Sequence, residues 1–129
     1  MNIFDIRVLW VEDEEYLRNA SEILMKKMVS FSNFAGSGQE ALVLLRRNQY
    51  DLLITDIGLP DMSGLNLVET GKVYQYNMRV ILTTGWPPEI SDEKKLELRI
   101  IDILEKPYSR DEVRGAMEKV FQRKEAITV

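Results

Sequence analysis

The chain alternates between two hydrophobic rhythms. Ile6 to Val11 (IRVLWV), Leu52 to Asp56 (LLITD), Arg79 to Thr84 (RVILTT) and Ile101 to Leu104 (IDIL) are short, nearly unbroken apolar runs. Such runs predict strands covered on both faces. A weaker run around Val29 to Phe34 predicts one more. Between the runs, apolar residues recur every three or four positions, which places them on single faces of helices. Leu17, Ala20, Leu24 and Met28 give a helix over Glu14 to Met28, and Val113, Ala116, Met117, Val120 and Phe121 give the clearest stripe.

Punctuation places the remaining helices. Ser37 and Glu40, like Ser109 and Glu112, have the spacing of a capping box, so Ser37 opens a helix running to about Asn48 and Ser109 opens the last one. Leu65 to Gln75 reads as a helix interrupted by Gly71. The Trp86-Pro87-Pro88 run delays the next helix to Ser91, from which it reaches about Arg99. Strand and helix alternate five times, which predicts an α/β fold: a doubly wound parallel sheet with five helices on its two faces. At 129 residues the chain is one domain, 1–129.

Composition narrows the chemistry. A net charge of -4 leaves no overall basic character to draw a phosphate backbone, so direct nucleic-acid binding is not expected. The longest apolar run, Ala41 to Leu45, is far too short for a bilayer, and Asp5 and Arg7 break the N-terminal stretch where a signal peptide would be continuous. A cytoplasmic protein without a membrane partner is expected. With no cysteine and no histidine, the chemistry must use carboxylates, lysine, threonine or backbone groups.

In doubly wound sheets the site lies beyond the carboxyl ends of the strands. The first strand there ends on Glu12 and Asp13, the third on Asp56, the fourth on Thr83 and Thr84, and the fifth runs into Lys106. Taken singly, each has a bland reading as a helix-dipole acid, a turn residue or a solvated loop residue. Together, clustered carboxylates repel, and a hard divalent cation, Mg2+ or Mn2+, resolves that. If Asp56 attacks phosphorus, the lysine ammonium and the threonine hydroxyl are the further groups that phosphoryl oxygens need.

These residues resemble the receiver domain of two-component response regulators. The resemblance rests on VEDE after the first strand, DIGLPDMSG after the third, TG after the fourth and EKP after the fifth. It implies a flavodoxin-like strand order of 2-1-3-4-5 and phosphorylation of Asp56 by a histidine kinase or phosphotransfer protein. It also implies Mg2+ held by Glu12 or Asp13, Asp56 and the Gly58 carbonyl, and a cis Lys106-Pro107 bond. Thr84, with the small Gly85 beside it, would move toward the phosphoryl group while the fourth helix, fifth strand and fifth helix rearrange as a binding face.

Two positions depart from the family pattern. Ile103 stands where the switch residue is commonly aromatic, so an aromatic rotamer swap is not the readout. Ala116 stands where a dimer-forming subgroup has arginine, which leaves a monomer or a weak phosphorylation-dependent dimer. The ring of Trp86 is expected to border the site and limit water access, and Trp10 to lie in the core. Three alternative readings meet specific obstacles in the sequence. A haloacid-dehalogenase-type phosphatase needs a second aspartate where Gly58 stands, and a flavin binder needs a phosphate loop where Glu12 to Glu15 are all acidic. An interaction module without phosphorylation is opposed by the intact Asp56, Thr84 and Lys106. The chain ends at Val129 with no DNA-binding or enzymatic segment, which fits a free-standing regulator or a receiver cut from a longer protein. The downstream target is left open.

Overall fold

Every apolar run predicted as a strand joins one sheet in the computed structural model, which describes residues 3–121 and the backbone of residues 123–124. The elements are β1 (Ile3–Val11), α1 (Glu15–Met28), β2 (Val29–Ala35), α2 (Gly38–Arg47), β3 (Leu52–Asp56), α3 (Gly64–Tyr74), β4 (Arg79–Thr84), α4 (Asp92–Leu98), β5 (Ile100–Glu105) and α5 (Arg110–Glu118). The five strands are parallel, in the order β2-β1-β3-β4-β5. A short sixth strand, β6 (Arg123–Lys124), pairs antiparallel with Ile3 and Phe4. Two residues carry no period to read, so the sequence gives no hint of it.

Period-two alternation explains why the strand runs are apolar throughout. Leu9, Val11, Leu53, Val80 and Leu82 pack with Ala41, Leu45, Leu67, Val68 and Leu98 on one face of the sheet. Val8, Trp10, Leu52, Ile54 and Ile81 pack with Met25, Met28, Val113, Ala116 and Met117 on the other. Trp10 is fully buried, as expected. Replacing one such leucine with alanine costs about 2–5 kcal/mol. Among the described residues, no helix is long and apolar enough to cross a bilayer.

The helices differ from expectation in detail. In α1 the buried positions are Ser21, Met25 and Met28, while Ala20 is exposed and Leu17 and Leu24 are half-buried. The face is rotated because the Ser21 hydroxyl satisfies itself on the Leu17 carbonyl at 3.0 Å and so can be buried. Val120 lies beyond α5 and is 41% exposed. Gly71 does not break α3: it is buried where a Cβ would stand 3.0 Å from Leu45, so its smallness lets α2 and α3 approach. Ser37, Ser63, Ser91 and Ser109 each cap a helix. The box is complete only at α5, because the Glu40 carboxylate accepts from the Gly36 amide at 2.7 Å.

Candidate functional site

The parallel register brings the strand ends together. Val11 pairs with Thr55, Asp56 with Thr83, and Thr84 with Glu105. The chain therefore leaves β1, β3, β4 and β5 at one level, and each polar residue predicted from the strand ends arrives at the same edge. Two further backbone bonds lock it: the Ile57 amide donates to the Thr83 carbonyl at 3.0 Å, and the Lys106 amide to the Thr84 carbonyl at 2.7 Å.

At that edge Glu12, Asp13 and Asp56 each offer a carboxylate oxygen within 4.8 Å of the others. Glu12 is fully buried, Asp56 is 8% exposed, and Asp13 is open to solvent. The Lys106 ammonium donates to Glu12 Oε1 at 2.9 Å and to Asp56 Oδ2 at 2.8 Å. Partial burial works to lower the Lys106 pKa, but the hydrogen bonds to Asp56 and Glu12 outweigh it and hold the ammonium above the usual lysine range. Burial pushes the Glu12 carboxyl up, against the pull of Lys106 and the Glu14 amide.

The donor set fits a hard cation: three carboxylates within one ion's span, no nitrogen or sulfur ligand, and one acid open to water. Gly58 is adjacent, its amide donating to Asp56 Oδ1 at 3.2 Å. The Lys106-Pro107 bond is cis.

Thr84 is placed at the edge but does not touch Asp56. Its hydroxyl donates to the Trp86 carbonyl at 2.6 Å and accepts from the Trp86 amide at 3.1 Å. Gly85 has open space around it, with nothing within 4 Å of a Cβ built there. Trp86 is 84% exposed, so in this conformation its side chain covers little, and the expected water-shielding role is not supported. Ile103 is half-buried against the core cluster of β4 and α4. Ala116 is buried under the sheet and presents nothing to a partner surface.

Two residues that support the site escaped sequence reasoning. The Arg18 guanidinium donates to the carbonyls of Glu12 and Asp13 at 2.9 and 3.3 Å, fixing the β1–α1 loop. The Asp61 carboxylate accepts from the Gly38 and Gln39 amides at 2.9 Å each, tying the β3–α3 loop to the start of α2. Those two amides lower the Asp61 pKa. Both residues act on backbone groups, those bound by Asp61 more than twenty residues away, and backbone partners leave no residue-type signature.

The profile of the family described as response regulator receiver domain matches residues 8–118. Among curated proteins, the chain is similar to sensory transduction protein RegX3 of Mycolicibacterium smegmatis, 33% identical over 116 residues that make up 90% of this chain and 50% of that protein. It is also similar to cell cycle transcriptional regulator CtrA of Caulobacter vibrioides, 27% identical over 118 residues, 92% of this chain and 51% of that protein. The chain thus spans about half the length of these curated relatives. Among solved structures, the signal receiver domain of an HD domain-containing protein from Pseudomonas fluorescens Pf-5 superposes with a TM-score of 0.78 at 28% identity, over 89% of this chain and 93% of that one. The response regulator TrrA from Thermotoga maritima, solved in complex with Mg(2+)-BeF, gives a TM-score of 0.73 at 28% identity, over 88% and 96%.

Proposed function

The chain belongs to the response regulator receiver family, and from that premise we propose that it is a phosphorylation-driven switch in which Asp56 accepts a phosphoryl group from the phosphohistidine of a kinase or phosphotransfer protein. An Asp56 carboxylate oxygen forms the new O–P bond as the donor's N–P bond breaks, and the electron pair returns to the imidazole nitrogen. Glu12, Asp13 and Asp56, with Gly58, would hold Mg2+, which when bound supplies charge neutralisation for the phosphoryl oxygens. The observation that carries this reading is the Lys106 ammonium shared between Glu12 and Asp56 at 2.9 and 2.8 Å. A cation already poised on Asp56 is the group that developing phosphoryl charge requires.

Signal transmission then follows from local electrostatics. A phosphoryl group on Asp56 offers Thr84 a charged acceptor in place of the neutral Trp86 carbonyl it now holds. Gly85 leaves the loop free of side-chain obstruction. The face of α4, β5 and α5 is held by exposed pairs, Lys94 with Glu69 and Lys119 with Asp102, both at 2.8 Å. Such pairs contribute about 0–1 kcal/mol each, so they resist rearrangement weakly. Ile103 would take part as an aliphatic switch residue, and the downstream partner would read this face. A cytoplasmic setting suits the phosphoryl donor.

Acetyl phosphate with Mg2+ tests the reading. The expected result is one alkali-labile phosphate per chain, absent in Asp56→Asn. Incorporation that persists in that variant removes the assignment.

A further inference from the structure

The end of the sheet opposite Asp56 carries a separate set of charges. All helices run antiparallel to the strands, so their last turns gather there, and these hold Lys26 and Lys27 in α1, Arg46 and Arg47 in α2, and Lys72 in α3. The first turns carry acids, Glu15, Glu40, Asp92, Glu93, Asp111 and Glu112, while Glu97 and Glu118 stand in the last turns of α4 and α5. The net charge of -4 conceals this polarity. Arg79 opens β4 and Arg99, in the left-handed conformation at φ 56°, caps α4; the Val80 amide donates to its carbonyl at 2.9 Å.

Arg46, Lys72, Arg79 and Arg99 lie around one loop, between α3 and β4, and none is in an ion pair among the described residues. The Arg46 guanidinium meets Tyr74, donating to its hydroxyl at 3.1 Å and lying 5.4 Å from its ring centre. Arg99 lies 5.2 Å over the Tyr76 ring. Arg79 donates to the Asn77 carbonyl at 3.2 Å, and Lys72 to the Met78 carbonyl. The nearby Asp51 carboxylate is turned to the Arg7 amide at 2.8 Å. Burial, and then repulsion from Arg99 and Arg79, bring the Lys72 pKa down to about 8. The cluster is thus a set of like charges that no acid pairs with among the described residues. Large apolar groups stand at the end of α3 and in the same loop: Val73 is 80% exposed, Tyr76 72% and Tyr74 44%.

We propose that this surface, built from the α3–β4 loop, the end of α2 and the cap of α4, docks an acidic protein segment that also carries large apolar side chains. Carboxylates on the segment supply the missing counter-charge, and its apolar side chains cover Val73 and Tyr76. A nucleic acid fits less well. The cations form a compact cluster instead of a track, Val73 offers a base nothing to stack on, and Arg46 and Arg99 already lie against the two tyrosine rings. The surface lies at the far end of the sheet from Asp56 and is independent of the phosphorylation reading.

The test is fluorescence anisotropy on the full chain with a short labelled peptide alternating Glu with Leu and Tyr. Saturable binding is expected, weakened by added salt, lost when the peptide's Glu residues are replaced by Gln, and about tenfold weaker in Arg79→Gln/Arg99→Gln and in Tyr76→Ala. The variants should keep the wild-type melting temperature and still take up phosphate at Asp56, so failure here is distinguishable from failure of the phosphorylation reading. Equal affinity of wild type and the double-arginine variant overturns the proposal. So does equal binding of the Gln peptide to wild type, or tighter binding of oligothymidylate or phosphatidylglycerol vesicles than of the acidic peptide.

Discussion

Gly64 is the position where one added methyl group should do the most damage to the site. It opens α3, and its amide donates to the Ile57 carbonyl at 2.7 Å. A Cβ there would stand 2.2 Å from the Asp56 carbonyl oxygen and 2.9 Å from the Ile57 Cα. Both obstacles are backbone, so no side-chain rotation relieves them, and roughly 1 Å of backbone displacement is needed to restore van der Waals separation. Either α3 retreats or the Asp56–Ile57 peptide turns, and both move the Asp56 carboxylate relative to Lys106. Overpacking of this kind costs about 1–3 kcal/mol, less the helix-propensity gain of up to about 1 kcal/mol from replacing glycine. Gly64→Ala should therefore melt several degrees lower, up to roughly 10 °C, in a circular-dichroism scan. On the proposed function, misplacing the Asp56 carboxylate by that distance should slow phosphate uptake from acetyl phosphate about a hundredfold. Gly115→Ala is the control, since nothing lies within 4 Å of its added Cβ, and it should be neutral or stabilising. Wild-type melting and wild-type uptake in Gly64→Ala would refute the reasoning.

Three further outcomes follow from the charge arrangement. Lys106→Ala leaves Glu12, 1% exposed at its side chain, and Asp56 facing each other without their cation. It should lose about 2–3 kcal/mol in urea unfolding at neutral pH, with part of the loss recovered on adding Mg2+. Lys72 releases its proton near pH 8 in the folded chain but only near about 10.4 when unfolded. Between those values the unfolded state holds the extra proton, so wild-type stability should rise with pH relative to Lys72→Met, by about 1–2 kcal/mol after solvent screening; parallel pH profiles would contradict this. Asp61 has a lowered pKa, so its contribution is present above the unfolded value and is lost as pH falls through the folded one. Asp61→Asn should flatten the acid limb of the unfolding profile, and an unchanged limb would show that its amide contacts contribute nothing.

The architecture was legible because the central strands β1, β3 and β4 are covered on both faces, so their apolar runs need no knowledge of neighbours. The acids, threonine and lysine were legible for a related reason: a polar residue closing an apolar run marks a strand end, and parallel strands end at one edge. What escaped had no local signal. Gly71 reads as a helix breaker until α2 is packed against it, and Ser21 reads as polar until its hydroxyl finds the Leu17 carbonyl. Trp86 reads as a lid, yet Pro87 and the Thr84 turn hold its backbone while the ring stands in solvent. The basic cluster of Lys72, Arg79 and Arg99 vanishes in a summed charge, because helix dipoles sort acids and bases to opposite ends.

The most direct measurement is a crystal structure of the chain with Mg2+ and beryllofluoride, a phosphoryl mimic. The account predicts the beryllium bonded to an Asp56 carboxylate oxygen, the metal on Asp13 or Glu12 beside it, and the Thr84 hydroxyl released from Trp86. Beryllofluoride bound away from Asp56, or Glu12 and Asp13 both left out of the metal's coordination, would contradict it.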